Sequence, residues 1–378
     1  MSKFNQDDFA IVACRNGINS AERINENLKK ICVEAEDIFK SKNNLNHRDL
    51  ARKSFVRDLI DVESFIVPTS CATFADGEIL PTINRSVREK TIYLVQNTFD
   101  PENPEKTSEN IMELILTIDA LKRSSPLKII VIVPYLNYSK QERRQGRQSI
   151  SAKVLLDLIH VAGADKLITI DLHTSAIEGF TSGNDMTIDH LFGSSVFIEY
   201  LREKKFDGVF AAPDIGAGKT IKHYSKVMNM PFALGYKFRK PDSKHNFEAQ
   251  GILGEVEGKD VVMIDDQIAS GSTLINAIKL LKEKGAKKIY LFATHGLFLK
   301  DAEQRFKEVV DQGIITELII TNSLIHSEEF LARNPKIVVL DVLKIFSKAI
   351  FEMQTGGSIS GLYNAELRLS LYGDKHQI

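Results

Sequence analysis

A chain of 378 residues exceeds what one hydrophobic core usually organises, so two domains are expected. Hydrophobic residues make up 43% and charged residues 26%, the balance of an ordinary globular protein. The 49 basic and 50 acidic side chains leave a formal charge of -1, so no global field recruits nucleic acid or a membrane surface.

In chain order, the opening MSKFNQDDFAIVAC places acids where a secretory signal carries a basic region and an apolar core. No apolar run approaches the roughly 20 residues of a membrane span, and the expectation is a cytoplasmic protein. Cys14, Cys32 and Cys71 form no C-x-x-C pair and leave one unpaired under any complete disulfide scheme. They are read as buried small hydrophobes in a reducing compartment. FAIVAC begins a series of short β-branched runs continued by TIYLVQ, KIIVIVPY, KLITIDLH, GVFAAPD, VVMIDD, KIYLFATHG, ELIITNS and KIVVLDV, with helix-period segments following them. Strands separated by helices predict parallel α/β sheets.

Two polar segments read as long loops. Lys40 to Asp58 mixes a turn cluster with a candidate helix, and Tyr236 to Gly251 lacks a sustained period; each is a connector or an active-site lid. HVAGADKLITIDLH and KEKGAKKIYLFATHG share a helix end, a Gly-Ala step, a Lys, an apolar strand and a terminal His. They mark two similarly built domains or two βαβ units alike by chance. A break around Gly183 to Asp189 divides the chain into 1–187 and 188–378. Beyond VVMIDD, the helical stripe Leu274, Ala277, Ile278 and Leu281 ends where Gly285 supplies a C-terminal cap.

Ligands of open parallel sheets bind beyond the carboxyl ends of the strands, where Asp265 and Asp266 are expected. An isolated Asp-Asp pair serves equally as a solvated turn with a helix cap. Here Ser270, Gly271, Ser272 and Thr273 follow, and their backbone N–H groups and hydroxyls precede a helix N-terminus, a ready anion site. Carboxylates that accept sugar hydroxyls or hold a hydrated metal, beside a phosphate cradle, fit a phosphorylated sugar. GAGKT, Gly216 to Thr220, is not a Walker A loop, because Pro213 stands where that pattern needs its first glycine. PDIGAGKT reads instead as a strand-end Asp214 followed by a plain turn, or by one in which Gly216 and Gly218 let backbone approach a ligand. Asp171 and His173, with one residue between them on a strand, would point to one face and reach one cation, unless His173 is an ordinary hydrogen-bonder. YSKQERRQGRQ sets Lys140, Arg143, Arg144 and Arg147 against Glu142, a solvated basic loop or a polyphosphate contact.

These motifs, in this order, resemble the ribose-phosphate pyrophosphokinases, also called phosphoribosyl pyrophosphate synthetases. The resemblance runs over most of the chain, from FADGE through KQERR, ISAKVLLDLIHVAGADKLITIDLH, PDIGAG, YKFR, DDQIASGST and ATHGLF to SISGLY. It implies two similar phosphoribosyltransferase-like α/β domains, each with a mainly parallel sheet flanked by helices, and an active site between them. It also implies that the C1 hydroxyl of ribose 5-phosphate attacks the β-phosphorus of MgATP, giving phosphoribosyl pyrophosphate and AMP. The protein would supply positioning and charge neutralisation. By motif, Asp265 and Asp266 would hold the ribose hydroxyls and Ser270, Gly271, Ser272 and Thr273 the 5-phosphate. Asp171 and His173 would organise Mg2+, with Asp214 at a second magnesium and the sugar. Lys237 and Arg239 of YKFR match the basic pair that stabilises the transition state, at the root of a loop that closes over ATP. Phe74, Asp76 and Glu78 match the family's adenine-binding loop, donated across a subunit interface, which implies a homo-oligomer, commonly a hexamer. Lys140, Gln141 and Glu142 would complete the nucleotide pocket.

The chain also departs from the family pattern. Lys140, Gln141 and Glu142 stand where the family usually has Arg-Gln-Asp, so an ammonium replaces a planar guanidinium fork. Ala269 stands where the phosphoribosyl motif commonly carries an acid. The segment Lys40 to Asp58 looks inserted, and the tail after Tyr363 extends past the usual end. Two other functions share parts of the pattern: a catalytically silent synthetase-like regulatory subunit, kept open by Ala269 and Lys140, and a phosphoribosyltransferase. FADGE, DLH and the two-domain layout count against the latter.

Overall fold

Runs such as KIIVI and VVMI have no polar face to offer water, so they are stable only where both faces are covered, as in a parallel sheet between helices. The computed structural model describes residues 9–41, 47–181, 186–239 and 248–363. Every run named above is a strand of a parallel ladder.

One compact unit comprises Met1–Phe192, Ser323–Ile325 and Val342–Leu362. Its elements begin with β1 (Phe9–Ala13), α1 (Ile18–Ser41), α2 (His47–Leu59), β2 (Ile66–Val67), β3 (Thr69–Thr73) and β4 (Ile79–Ile83). They continue with β5 (Thr91–Val95), α3 (Thr107–Arg123), β6 (Lys128–Ile132), α4 (Ser151–Ala162), β7 (Lys166–Ile170) and β8 (Thr187–Leu191). The sheet order is β2-β1-β5-β6-β7-β8, parallel throughout, while β3 and β4 form a separate antiparallel ribbon. Val12, Leu94, Val131 and Leu167 of the sheet meet Leu114 of α3 and Leu155 of α4 in its core.

Of the described residues, the other unit comprises Gly193–Asn322, His326–Asp341 and Tyr363. It contains α5 (Ser194–Glu203), β9 (Val209–Ala212), α6 (Gly218–Met228), β10 (Phe232–Arg239), β11 (Glu248–Leu253), β12 (Val261–Ile268) and α7 (Ser272–Glu283). β13 (Ile289–Gly296), α8 (Ala302–Asp311), β14 (Glu317–Thr321), α9 (Glu328–Arg333) and β15 (Ile337–Leu340) complete it. The order is β11-β10-β9-β12-β13-β14-β15, parallel except for the antiparallel β10–β11 edge. The α7 stripe is buried as its spacing requires, with Leu274, Ile278 and Leu281 in the core and Ala277 packed against it.

The structure revises several expectations. The polar TIDHL becomes β8 and pairs in register with β7, from Lys166↔Thr187 to Ile170↔Leu191, so a division at 187/188 cuts a strand. The last helix, α10 (Leu343–Gln354), belongs with the first unit: Ser347 Oγ donates to Ile24 O at 3.0 Å, and Gln354 Nε2 to Tyr93 OH at 2.8 Å. The expected loop at Lys40 to Asp58 is largely α2, whose Phe55, Val56 and Leu59 are buried and whose Arg52 pairs with Glu352 of α10. The arms of the other expected loop are β10 and β11, paired from Tyr236↔Gly251 to Arg239↔Glu248, while residues 240–247, the proposed lid, lie outside the described residues. Cys14 and Cys32 are buried, but Cys71, on the β3–β4 ribbon, is only half-buried. Burial pushes the Cys32 thiol up to about 11 and the Cys14 thiol further still, so neither is suited to act as a nucleophile.

The two Gly-Ala steps close their helices alike. Gly163 (φ +123°) and Gly285 (φ +84°) donate to His160 O and Lys282 O, and the following alanines donate to Ile159 O and Leu281 O. The likeness ends at the histidines: His295 is buried inside β13, whereas His173 is exposed beyond the end of β7. Among the described residues, no helix is long and apolar enough to cross a membrane.

Candidate active site

Asp265 and Asp266 lie within β12 rather than at its end. The β9 ladder stops at Met263↔Ala211, however, while pairing with β13 continues to Ile268↔Gly296, so both acids project past the carboxyl end of β9. Each is half-buried. Asp265 Oδ1 accepts from the Asp266 N–H at 2.9 Å, and Asp266 Oδ2 accepts from Gln267 Nε2 at 3.1 Å.

The loop after β12 is anchored on its inner side, where Ile268 O accepts from the Leu297 and Phe298 N–H groups and Ala269 O from Leu299. Ser270, Ser272 and Thr273 face solvent at the start of α7. Gly271 is required twice over. Its φ is +72°, and a Cβ would collide with the ring of Phe306. Arg305 of α8 reaches the same loop: Nη1 donates to Ser272 Oγ at 3.0 Å and Nη2 donates to Ser270 O, while Nε lies 3.2 Å from Asp301 Oδ2. A helix N-terminus, three hydroxyls and a guanidinium therefore meet at one loop, an arrangement suited to a phosphate dianion.

Asp214 follows β9, is exposed, and accepts from the Ala217 N–H at 3.1 Å, tightening the turn into α6. Neither Gly216 nor Gly218 adopts a positive φ, and the tight approach is local: a Cβ on Gly216 would lie 3.0 Å from Asp214 Oδ1. Neither glycine is therefore demanded by backbone conformation. Lys237 and Arg239 occupy alternate positions of β10, in register with Gln250 and Glu248.

In the other unit, Asp171 and His173 depart from the strand reading. β7 ends at Ile170, and Asp171 takes a left-handed backbone (φ +43°), so strand alternation does not govern the pair. The turn is tied to β8 instead: the Asp171 N–H donates to Leu191 O at 3.0 Å and the Leu172 N–H to His190 Nε2 at 3.0 Å. Among the described residues no group of three or more His, Cys, Asp or Glu side chains is arranged to hold a metal ion.

Phe74, Asp76 and Glu78 form the exposed tip of the β3–β4 ribbon, closed by the Phe74 N–H to Glu78 O at 2.8 Å and the Glu78 N–H to Asp76 Oδ1 at 3.1 Å. Phe74 is 51% exposed, leaving a ring face open for stacking. Arg15 anchors the ribbon. Its Nη1 donates to Thr73 Oγ1 at 3.2 Å, Nη2 to Glu109 Oε1 at 2.8 Å and Nε to Glu113 Oε2 at 2.9 Å. Burial alone would lower the pKa of this guanidinium, but the Glu113 and Glu109 carboxylates outweigh it and hold the pKa above its ordinary value. Lys140 and Gln141 are exposed and Glu142 half-buried in the turn after β6, where the Gln141 N–H donates to Tyr138 O at 2.7 Å and Glu142 lies 3.6 Å from Arg143 Nε.

Residues 37–163 match the N-terminal domain of ribose phosphate pyrophosphokinase, and residues 227–364 match the phosphoribosyl synthetase-associated domain. A ribose-phosphate pyrophosphokinase of Vibrio parahaemolyticus is 34% identical over 299 residues, covering 78% of this chain and 90% of that protein. The chain belongs to the ribose-phosphate pyrophosphokinase family. A Porphyromonas gingivalis member is 36% identical over 293 residues, 77% of this chain and 88% of that one. The crystal structure of phosphoribosylpyrophosphate synthetase from Mycobacterium smegmatis superposes with a TM-score of 0.73 at 28% identity, covering 93% of this chain and 100% of that one. The chain is accordingly a transferase enzyme with the α/β architecture of that family. The N-terminal match runs through α2, so the segment expected as an insertion lies within it. Arg305 and Arg15 were not singled out in the sequence. Their partners lie 33 residues away at Ser272 and 98 at Glu113, and no local pattern signals such a contact.

Proposed function

We propose that the chain transfers the β,γ-diphosphoryl group of MgATP to the C1 hydroxyl of ribose 5-phosphate, giving phosphoribosyl pyrophosphate and AMP. The observation that carries this reading is the loop after β12: two half-buried carboxylates, then Gly271 in a left-handed turn, three exposed hydroxyls at the start of α7, and the Arg305 guanidinium. Asp265 and Asp266 accept the ribose hydroxyls, and the Ser270–Thr273 loop takes the 5-phosphate. The exposed Phe74 ring stacks adenine, with Asp76, Glu78, Lys140, Gln141 and Glu142 completing the nucleotide side. Lys237 and Arg239 act on charge that develops during transfer.

A single carboxylate and an exposed imidazole on one turn fit Mg2+, which commonly keeps most of its waters and binds through one or two carboxylates plus substrate phosphates. Asp171 would hold the ion, with His173 on its water shell and Asp214 at a second ion. The metal supplies charge neutralisation of the diphosphoryl group. The enzyme works in the cytoplasm as a homo-oligomer, a hexamer by analogy with the family.

Phosphorus NMR of the purified protein with ATP, Mg2+ and ribose 5-phosphate tests the reading. Stoichiometric phosphoribosyl pyrophosphate and AMP support it. A folded sample that binds nucleotide and forms neither product would instead favour a silent regulatory subunit, with Ala269 and Lys140 as the first positions to restore.

A further inference from the structure

The turn that presents Asp171 and His173 is held by a side chain with no part in the functional reading so far. His190 closes β8 next to Leu191 and is 6% exposed, with its ring against Phe192 at a centroid distance of 4.4 Å. Its Nε2 accepts the Leu172 N–H at 3.0 Å. An atom that accepts carries no proton, so the remaining proton of the imidazole is on Nδ1, where it is donated to Glu178 Oε1 at 2.8 Å. Glu178 sits on the 3-10 helix Ser175–Thr181, immediately beyond His173, and Asp189, before His190, is paired with Lys166 of β7 at 2.8 Å. The carboxylate therefore sets the tautomer, the tautomer makes Nε2 an acceptor, and the acceptor captures the peptide N–H between the two proposed metal-side residues.

That peptide needs a tie. Asp171 sits at φ +43°, a backbone region that costs a non-glycine residue about 1 kcal/mol or more. An unsupported turn would relax toward ordinary backbone and move both side chains. Two bonds tie it to β8, the Asp171 N–H to Leu191 O and the Leu172 N–H to His190 Nε2, and the second is made by a side chain.

We propose that His190, oriented by Glu178, is a positioning residue for the diphosphoryl-transfer site, holding the 171–173 turn in the geometry that binds a hydrated divalent cation. The inference rests on the reading of Asp171 and His173 given above, and it concerns the cation rather than the sugar. His190 touches neither substrate nor metal. Its contribution passes through the Leu172 peptide, as outer-shell groups act on metal ligands elsewhere.

The test is Mn2+ binding to the full chain in the presence of a non-hydrolysable ATP analogue, followed by the water-proton relaxation enhancement that the protein-bound ion gives and the Mn2+–analogue complex alone does not, with thermal unfolding recorded in parallel. His190→Leu removes the acceptor and should weaken Mn2+ binding about tenfold or more. His190→Gln restores an amide oxygen at similar reach and should stay within about threefold of the parent, a rescue that packing alone does not predict. Unchanged Mn2+ affinity in a folded His190→Leu protein overturns the proposal, as does loss of affinity that His190→Gln fails to restore. If His190→Leu does not fold, Glu178→Ala at a side chain 41% exposed carries the same comparison, and unchanged affinity there is equally fatal. Asp171→Asn separates the two levels. If the parent binds Mn2+ and Asp171→Asn binds it equally well, the metal reading of the turn fails and this inference with it. If Asp171→Asn loses the ion while His190→Leu keeps it, only the inference fails.

Discussion

Replacing Arg305 by Met keeps the stem of the side chain and removes the guanidinium that bridges Ser272 Oγ and Ser270 O. A hydrogen bond made by a charged group contributes about 1.5–3 kcal/mol. Arg305 is 30% exposed and shares its charge with Asp301, so water and the competing carboxylate take roughly half of that away. For two such bonds this leaves about 2 kcal/mol for ordering the loop and neutralising the dianion, or roughly 30-fold in affinity. Isothermal titration of Arg305→Met with ribose 5-phosphate should show that weakening. The bond to Ser272 leaves that hydroxyl's own proton free to point elsewhere. Ser272→Ala and Arg305→Met combined should accordingly cost less than the two separate losses together. Unchanged ribose 5-phosphate affinity in Arg305→Met would refute the reasoning, and so would fully additive losses, since both assign Arg305 a role outside the cradle.

Further predictions concern other parts of the chain. Arg15→Met leaves the buried Glu113 carboxylate without its cation, at a cost of about 2–4 kcal/mol in denaturant-measured stability. It also frees the β3–β4 ribbon, so the KM for ATP should rise severalfold while that for ribose 5-phosphate does not; equal changes in both would place the effect in global stability. Lys237→Ala should lower kcat about 100-fold with little change in either KM, and parallel losses in binding and turnover would assign the ammonium a ground-state role. Burial pushes the His223 imidazole down to about 4, against an ordinary 6.5. Protons then bind the unfolded chain first as pH falls, so stability is intact above about 6.5 and is lost down toward 4, by roughly 2 kcal/mol between pH 7 and pH 5. Urea denaturation at those two pH values checks this, and His223→Gln should flatten the difference.

The strands legible in the sequence were those buried on both faces, because continuous β-branched runs leave no other arrangement. Those that escaped notice were polar or small. TIDHL of β8 and TSCAT of β3 have no apolar run to betray them, and the part of β10 read as a loop lies beyond Leu234, where its ladder with β9 has ended and its partner is the polar β11. The loop proposed to take phosphate stood out because its chemistry is contiguous: acids, small residues and a helix start fall within nine positions of one another. The 171–173 turn was misread because strand alternation was carried one residue too far, past Ile170 into a left-handed Asp. Arg305, Arg15 and His190 reach their partners through the tertiary fold, so no spacing rule finds them.

The return of α10 to the first unit has a consequence for how the chain folds during synthesis. The polypeptide leaves the ribosome from its N-terminus, and domains ordinarily fold in that order. Here the helix that buries Phe346 and Ile350 and bonds to α1 through Ser347 is made only after all of β9 to β15. The unit that starts first is therefore finished last. Until then the apolar side of α1 stands open on the nascent chain, exposed through the whole time the second unit takes to emerge, and that face is where a chaperone would be expected to hold on.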